Sequence, residues 1–135
     1  MKFITRDTDY AMRALLYISA SDKDLIPSSE LIDELNLPKP FIRKILQILQ
    51  QEGVLTSTKG PHGGFALAMD PQKILLTDLI RIFQGEINLV ECIFRKKVCR
   101  NRATCPLRSK LKRIESLALS ELKSVTVGSL LKEIS

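Results

Sequence analysis

The stretch of sequence that decides the fold is residues 28–67, SSELIDELNLPKPFIRKILQILQQEGVLTSTKGPHGGFAL. Apolar residues recur at helical spacing over 28–35 and again over 39–51, which predicts two helices. The intervening Asn-Leu-Pro at 36–38 breaks the first of them, because the residue before a proline is disfavoured in helical geometry. A short helix, a tight break and a second helix predict a helix-turn-helix unit. The expected apolar face of the second helix consists of Phe41, Ile45, Ile48 and Leu49.

The residues after Gly53 change to the pattern of a β-hairpin. Glycine commonly ends a helix, so the second helix is expected to stop there. Residues 54–58 and 65–68 are strand candidates, and the KGPHGG segment at 59–64 is typical of a turn. A further helix is predicted upstream, over 8–20. Three helices followed by a hairpin give the order of a winged helix-turn-helix, so the predicted fold class is mainly α with a β-hairpin wing.

The helices at either side of this stretch have candidate caps. Thr8 or Asp9 is expected near the N-cap of the first helix, since short polar side chains bond the free N–H groups there. Downstream, a short helix is predicted over 78–83, with Thr77 as its cap and Gly85 as its stop. The winged domain is therefore expected to end at Gly85.

A long helix is predicted to begin at Pro106, a residue suited to a first turn. Its apolar stripe covers roughly five turns. A helix of this length would extend beyond so small a winged domain, so we expect the stripe to pack against a second copy of the chain. A short helical turn over 126–134 follows. The expected organisation is a DNA-binding domain at 1–85, a cysteine-containing sensor loop at 86–105, and a dimerisation helix with a C-terminal helical tail at 106–135. The stripe consists of Leu107, Leu111, Ile114, Leu117, Ala118, Leu122 and Val125.

Composition indicates a small soluble globular protein. The chain has 135 residues, 44% of them hydrophobic and 27% charged, and no apolar run approaches the ~20 residues that cross a membrane. The first ten residues lack the apolar core of a signal peptide, so we expect a cytoplasmic protein with reduced thiols and no membrane partner. The net charge of +6 lies entirely after residue 85, because residues 1–85 hold ten Lys/Arg and ten Asp/Glu. Such an excess favours a polyanionic partner, with a solvated basic face as the alternative.

The second helix of the helix-turn-helix pair carries the residues expected to read DNA. Such a helix buries one face and offers polar side chains to the major groove, where Arg and Lys suit guanine and Gln suits adenine. In the wing, glycines allow close approach to DNA, Lys59 supplies a positive charge, and His62 is placed to bind a phosphate. Ordinary amphipathic helices and a plain hairpin turn are the alternatives. The candidate DNA-binding residues are Lys39, Arg43, Lys44 and Gln47 on the helix, and Lys59, His62 and Gly63 on the wing.

Three cysteines, Cys92, Cys99 and Cys105, are the only ones in the chain. An odd number cannot pair completely in internal disulfides. Soft thiolates bind zinc, copper(I) or iron–sulfur clusters, and the closely spaced cysteine pair of structural zinc sites is absent here. The wider spacing suits an iron–sulfur cluster whose fourth ligand is a non-cysteine residue or a small molecule. From Cys92 through Ile114 there are nine Lys/Arg and no acid, a setting that favours thiolates. Three small buried residues beside a solvated basic loop are the alternative.

The order of these motifs resembles the winged-helix regulators that include IscR and NsrR, the Rrf2 family. The resemblance rests on DTDYA at 7–11, KGPHGGF at 59–65, TDLI at 77–80 with Gly85 after it, the three cysteines, and the long helix. It implies a homodimeric, DNA-binding transcription regulator, with repression as the expected mode, that senses iron–sulfur, redox or nitric oxide status. The DNA readers that the resemblance implies are Lys39, Pro40 and Arg43 on the recognition helix and Lys59 on the wing.

The resemblance also implies a cofactor, a [2Fe-2S] or [4Fe-4S] cluster with Cys92, Cys99 and Cys105 as ligands. Arg108 stands where IscR-type members have a histidine ligand, and it cannot ligate a metal. Asp9 stands where NsrR-type members have an aspartate that reaches the cluster from the partner's first helix. The implied fourth ligand is therefore Asp9 of the partner subunit, and the N-cap is its alternative role.

Two other interpretations remain open at this point. One is a cluster-free regulator in which oxidation of the cysteine thiols sets DNA binding. The other, against which the winged-helix order argues, is a metal-handling protein that does not bind DNA. A single histidine without a nucleophile–base arrangement predicts no enzyme and no small-molecule substrate. The expected partner is double-stranded DNA with a palindromic operator, since a two-fold dimer matches two half-sites.

Overall fold

The computed structural model describes residues 3–86 and 105–134, and this part of the chain is mainly helical with one two-stranded sheet. The predicted fold class, a winged helix-turn-helix with a long C-terminal helix, is confirmed. No helix within the described ranges is both long and apolar enough to cross a membrane. The elements in chain order are α1 (Arg6–Ala20), α2 (Ser28–Leu35), α3 (Lys39–Gln51), β1 (Leu55–Thr58), β2 (Gly64–Leu67), a 3-10 turn (Pro71–Lys73), α4 (Leu76–Gln84), α5 (Pro106–Lys123) and α6 (Val127–Ile134).

The predicted bounds of α2 and α3 are confirmed. They could be predicted because strong local signals determine where these helices begin and end. Asn36 ends α2 in the left-handed conformation, at φ 51°. Pro38 is extended, at φ −60° and ψ 128°, and Pro40 occupies the first turn of α3, where its missing N–H costs nothing. Gly53 follows α3 at φ 80°, the conformation that glycine adopts most readily at a helix end.

The predicted apolar face of α3 is confirmed at Ile45 and Leu49 and wrong at the other two positions. Phe41 and Ile48 are only half-buried. Apolar residues occupy so much of α3 that two overlapping stripes fit its sequence, and packing against α1 and α2 selects one of them. The side chains that enter the core are Ile42, Ile45, Leu46 and Leu49.

The hairpin wing is fixed to the helices at its base. The two strands pair antiparallel, with Leu55 opposite Leu67 and Thr58 opposite Gly64. Phe65 also exchanges two backbone hydrogen bonds with Ile26, at 2.9 and 2.8 Å, in the connection before α2. A Cβ on Gly64 would lie 2.6 Å from the carbonyl carbon of Ile26, so only glycine allows this close approach.

Two of the expected caps are wrong. The N-cap of α1 is Thr5, and Thr8 lies inside the first turn, completely buried. The N-cap of α4 is Leu75, and Thr77 is a buried residue within the helix. Both threonines turn inward because tertiary contacts, rather than local capping, decide their positions. The predicted stop at Gly85 is confirmed, since this residue ends α4 at φ 85°.

The last two helices behave differently from each other. Helix α5 contacts α4 but has no buried residue. Helix α6 instead packs on α1, and Val127 is completely buried in the core. Backbone bonds from Leu76 to Val125 and from Val127 to Ile74, both 3.0 Å, fasten this connection to the start of α4. The C-terminal tail is therefore part of the winged core, while α5 lies at its edge.

Candidate functional site

One side of α3 presents only polar or charged side chains and Pro40. Its polar residues are all exposed: Lys39, Arg43, Lys44 and Gln47. Their side chains form no hydrogen bond or ion pair with the described part of the chain. Their donors are therefore available to an external partner. The structure brings these predicted residues together on the side of α3 opposite the core.

The wing tip carries the other predicted DNA-binding residues. Lys59 and His62 are exposed, and Gly63 is half-buried. A Cβ on Gly63 would lie 2.0 Å from the carbonyl oxygen of Thr58, so the tight turn itself requires glycine at this position. A hydrogen bond from Gly63 N to Gly60 O, at 3.0 Å, closes the tip.

An arginine that the sequence analysis does not single out lies beside this face. The Arg6 guanidinium carbon is 4.0 Å from the centre of the Phe41 ring, in a cation–π contact that joins α1 to α3. No periodic signal marks Arg6, because it precedes the predicted start of α1. The contact is visible only once the first helix begins at residue 6.

Asp9, the candidate ligand for the partner's cluster, lies in the first turn of α1 with 45% of its side chain exposed. Its Oδ2 accepts a hydrogen bond from Arg13 Nε at 3.0 Å. The carboxylate is thus on the surface, where a second chain can reach it, and its present partner is a neighbour on the same helix.

The first turn of α1 is fastened to the end of α4 by Gln84. The Gln84 Oε1 atom accepts hydrogen bonds from Thr5 N at 2.9 Å and from Thr8 Oγ1 at 2.7 Å. Its Nε2 donates to Phe3 O at 3.0 Å. These bonds link segments about eighty residues apart, so the start of α1 cannot shift without disturbing the residues that precede the cysteine segment.

Of the three predicted cysteine ligands, only Cys105 falls within the described residues, and Cys92 and Cys99 lie outside them. Cys105 is the N-cap of α5, half-buried and outside any disulfide in the described ranges. The positive end of a helix dipole stabilises a nearby negative charge, such as that of a metal-bound thiolate. The position therefore suits a thiolate ligand. Among residues 3–86 and 105–134, no group of three His, Cys, Asp or Glu side chains is close enough to hold a metal ion.

Helix α5 shows an apolar face to solvent in the single chain. Leu107, Ile114 and Leu117 are 65%, 52% and 61% exposed. Leu119 lies on the side of α5 that faces α4, where it lines a cleft together with Thr77. Three large exposed side chains on one helix face are typical of a surface that is covered by another chain.

A polar cluster joins α1 to the start of α2. The Tyr17 hydroxyl donates to Glu30 Oε2 at 2.8 Å, and Lys23 Nζ forms an ion pair with the other oxygen. The hydrogen bonds from Lys23 and from Tyr17 hold the pKa of Glu30 below its usual value. The same bond to Glu30, together with burial, raises the pKa of Tyr17 to about 12. This cluster ties the last part of α1 to the first turn of α2.

Comparisons with known proteins agree with this architecture. The Rrf2 family, described as "Iron-dependent Transcriptional regulator", matches residues 4–133. A candidate HTH-type transcriptional regulator of Aquifex aeolicus is 31% identical over 124 residues, which are 90% of this chain and 86% of that protein. The HTH-type transcriptional regulator NsrR of Bacillus subtilis is 28% identical over 131 residues, 96% of this chain and 90% of the relative.

A solved structure, that of T. potens IscR, superimposes with a TM-score of 0.75 over 100% of this chain and 89% of its own, at 18% identity. At that identity the likeness concerns the fold. The family match over nearly the whole length decides the assignment, and the chain belongs to the Rrf2 family of winged-helix transcription regulators.

Proposed function

We propose that this regulator binds an operator as a homodimer and that an iron–sulfur cluster on its cysteines sets its affinity for DNA. The observation that carries the DNA-binding part of the proposal is the polar side of α3, where four side chains are exposed and have no partner among the described residues; the wing adds an exposed lysine, Lys59. A structural surface helix would be expected to pair some of these charges with neighbours. Here the donors remain available, as a groove-binding helix requires.

The proposed contacts divide between reading and positioning. Arg43 and Gln47 are suited to base edges, because their side chains form paired hydrogen bonds with guanine and adenine. Lys39, Lys44 and Lys59 are suited to phosphates, which fix the register of the protein on DNA. A two-fold dimer would place two such units on a palindromic site, and repression is the expected consequence of occupying it.

The proposed dimer contact is the exposed face of α5. Burying Leu107, Ile114 and Leu117 against the same helix of a second chain would remove apolar surface that the single chain leaves in water. A two-fold axis across α5 makes each of these contacts twice.

The dimer is tested by the mass in solution of two matched variants. Leu117→Glu adds a charge to the apolar face, whereas Ser116→Glu adds the same charge at an exposed position on the side of α5 away from Leu107 and Ile114. We expect the wild type and Ser116→Glu at twice the chain mass of 15.2 kDa, and Leu117→Glu at a single chain mass in light scattering. Equal masses for the two variants would count against an α5 interface.

The proposed cofactor ligands are Cys92, Cys99 and Cys105, with Asp9 of the partner subunit as the fourth. What supports this set is the half-buried thiol of Cys105 at a helix N-terminus, the surface carboxylate at residue 9, and the description of the family as iron-dependent. A bound cluster would supply a centre whose oxidation or loss changes the local charge and the ligand geometry. The chain's own residues would convert that change into a shift of DNA affinity.

The cofactor is tested by anaerobic purification followed by a visible spectrum and by iron and sulfide counts per chain. The comparison is with a triple variant, Cys92→Ala, Cys99→Ala and Cys105→Ala. Visible absorption with matching iron and sulfide, lost in the triple variant, is the expected result. The iron count separates two-iron from four-iron clusters, and Asp9→Ala then tests the fourth ligand.

A colourless, iron-free protein after anaerobic reconstitution would overturn the cluster proposal. The thiol switch would then be the better account, and loss of the response to a mild oxidant in a Cys99→Ala variant would identify it. DNA binding is tested independently, by fluorescence anisotropy of a labelled duplex over a range of salt concentrations. A flat titration would overturn the DNA-binding proposal whatever the state of the cysteines.

A further inference from the structure

A small cleft lies between the first turn of α1 and the outer edge of α3. Its volume is about 220 Å³, and its walls include Arg6, Asp7, Pro40, Phe41 and Lys44. Pro40 and Lys44 also belong to the polar side of α3, so the cleft continues the candidate DNA-binding face. The side chains of Arg6 and Lys44 stand at its rim, and both residues are exposed.

The Arg6 side chain is held in place by its stack on Phe41. The guanidinium carbon lies 4.0 Å from the ring centroid, within the range of a cation–π contact. The five N–H donors of a guanidinium lie in its own plane as a rigid fork. The one hydrogen-bond partner of the Arg6 side chain in the described part of the chain is Asp7 Oδ1, 3.4 Å from Nε. Both terminal nitrogens are therefore left with donors to offer.

Charge and geometry select the partner of this cleft. Two cations and one carboxylate leave a net positive charge, and a fork of N–H donors fits two oxygens of one phosphate. Lys44 lies three residues after Phe41, one turn along the same side of α3. A group bound between Arg6 and Lys44 would touch the edge of a helix whose polar side faces the major groove.

We infer that Arg6 and Lys44 bind one phosphate of the DNA backbone at the edge of the groove that α3 enters. This inference rests on the proposed DNA-binding function and extends the interface to α1. Phe41 is the positioning residue, because its ring fixes the orientation of the guanidinium before DNA arrives. Asp7 competes with the phosphate for Arg6 and limits the affinity.

The test measures the salt dependence of binding to a labelled duplex of arbitrary sequence, which suffices because a phosphate contact carries no sequence information. The logarithm of the binding constant falls against the logarithm of salt concentration with a slope of about 0.9 per phosphate neutralised. Because Lys44 would still neutralise the phosphate in Arg6→Ala, we expect that single variant to lower the slope only in part and Arg6→Ala with Lys44→Ala to lower it by about 0.9 per protomer. The loss of affinity between 50 and 200 mM salt then becomes ~3.5-fold smaller per protomer for the double variant. Phe41→Leu, which keeps the apolar packing, is expected to lower the slope by less than Arg6→Ala.

Two further variants make the result specific. Arg81→Ala removes an exposed arginine of α4 that is paired with Asp78 in the same way, at 3.4 Å, and is expected to leave the slope unchanged. Asp7→Asn removes the competing carboxylate and is expected to raise the affinity. Far-UV circular dichroism with thermal melting verifies that each variant is folded.

The outcomes separate this inference from the proposed function. A slope for Arg6→Ala with Lys44→Ala that equals the slope of Lys44→Ala alone overturns the phosphate contact of Arg6 while leaving DNA binding intact. A loss of slope in Arg81→Ala equal to that in Arg6→Ala would mean that net charge alone is responsible, and would overturn it as well. No salt-dependent binding by the wild type overturns the proposed function and this inference together.

Discussion

Gln84 is expected to stabilise the whole fold, because its side chain binds the start of a helix that lies almost eighty residues away along the chain. Replacing it by alanine removes three hydrogen bonds to the first eight residues. The Thr8 hydroxyl is the partner that decides the magnitude, because Thr8 is completely buried. Without the Gln84 side chain, the Thr8 hydroxyl keeps one polar side-chain neighbour among the described residues, Thr5 Oγ1 at the long distance of 3.3 Å.

The expected loss can be built up from these partners. A buried polar group that loses its partner costs about 1–3 kcal/mol, while groups that water can reach cost less. Phe3 is exposed and Thr5 half-buried, so water can replace part of their bonds. We therefore expect Gln84→Ala to lower the free energy of unfolding by about 2 kcal/mol, mainly through Thr8. At about 4 °C per kcal/mol this is a melting temperature lower by about 8 °C.

The assay is urea denaturation at one fixed protein concentration, since association with a second chain would also contribute to stability. Gln51→Ala removes an exposed glutamine at the end of α3 and serves as the matched control, with an expected change within about 0.5 kcal/mol. Thr8→Val and the double variant complete a mutant cycle, in which we expect a coupling of about 1 kcal/mol between Thr8 and Gln84. A Gln84→Ala stability equal to that of the control, or a coupling near zero, would refute this reasoning.

Two further predictions concern the α1–α2 cluster and the wing base. The pKa of Glu30 is lowered in the folded chain, so the ionised carboxylate contributes to the free energy of unfolding above pH ~4.5, and this contribution is lost as the pH falls. The difference in stability between wild type and Glu30→Gln should therefore shrink in urea melts at acid pH. The pKa of Tyr17 is raised to about 12, so its contribution is complete below pH ~10 and is lost towards 12, a decline that Tyr17→Phe should not show. Gly64→Ala would place a Cβ 2.6 Å from the Ile26 backbone and should cost about 1–3 kcal/mol or more through overpacking. Gly53→Ala meets no atom within 4 Å and should cost only about 1 kcal/mol through its positive φ; equal losses for the two glycines in thermal melts would contradict the steric explanation.

Local signals explain why much of the fold could be predicted from the sequence. The bounds of α2 and α3 follow from prolines and from residues that adopt positive φ, and these act within a few positions of the helix end. The hairpin follows from a change of period on either side of a glycine-rich turn. Each of these features is encoded where it is found, so no knowledge of the rest of the chain is needed.

The features that could not be predicted depend on contacts between distant segments. The rotation of α3 about its axis is fixed by the helices it meets, and the bridge between Ile26 and Phe65 joins the wing to a connection 39 residues away along the chain. The sequence predicts Thr8 as an N-cap because threonine is common near the start of a helix. The hydrogen bond from its hydroxyl to Gln84, a residue 76 positions away along the chain, could not be predicted from local sequence. In the candidate site, the polar side of α3 could be predicted from the sequence, whereas Arg6 could not, because a stack on an aromatic ring has no period.

The contacts of α1 show how a change at the cysteines could reach the DNA if both proposals hold. Arg6 and Asp9 lie three residues apart on one side of α1, within a single turn. One end of this turn is fastened by Gln84 to the last residues before the cysteine segment, and Arg6 within it is stacked on Phe41 of the recognition helix. In the described chain Asp9 accepts a hydrogen bond from Arg13 at 3.0 Å through Oδ2, so a cluster that bound Asp9 would compete with Arg13 for the carboxylate. Coordination of Asp9 by the cluster of a partner chain would therefore displace the turn of α1 that also carries the proposed phosphate contact. Because α1 is a rigid helix, it would transmit that displacement to α3.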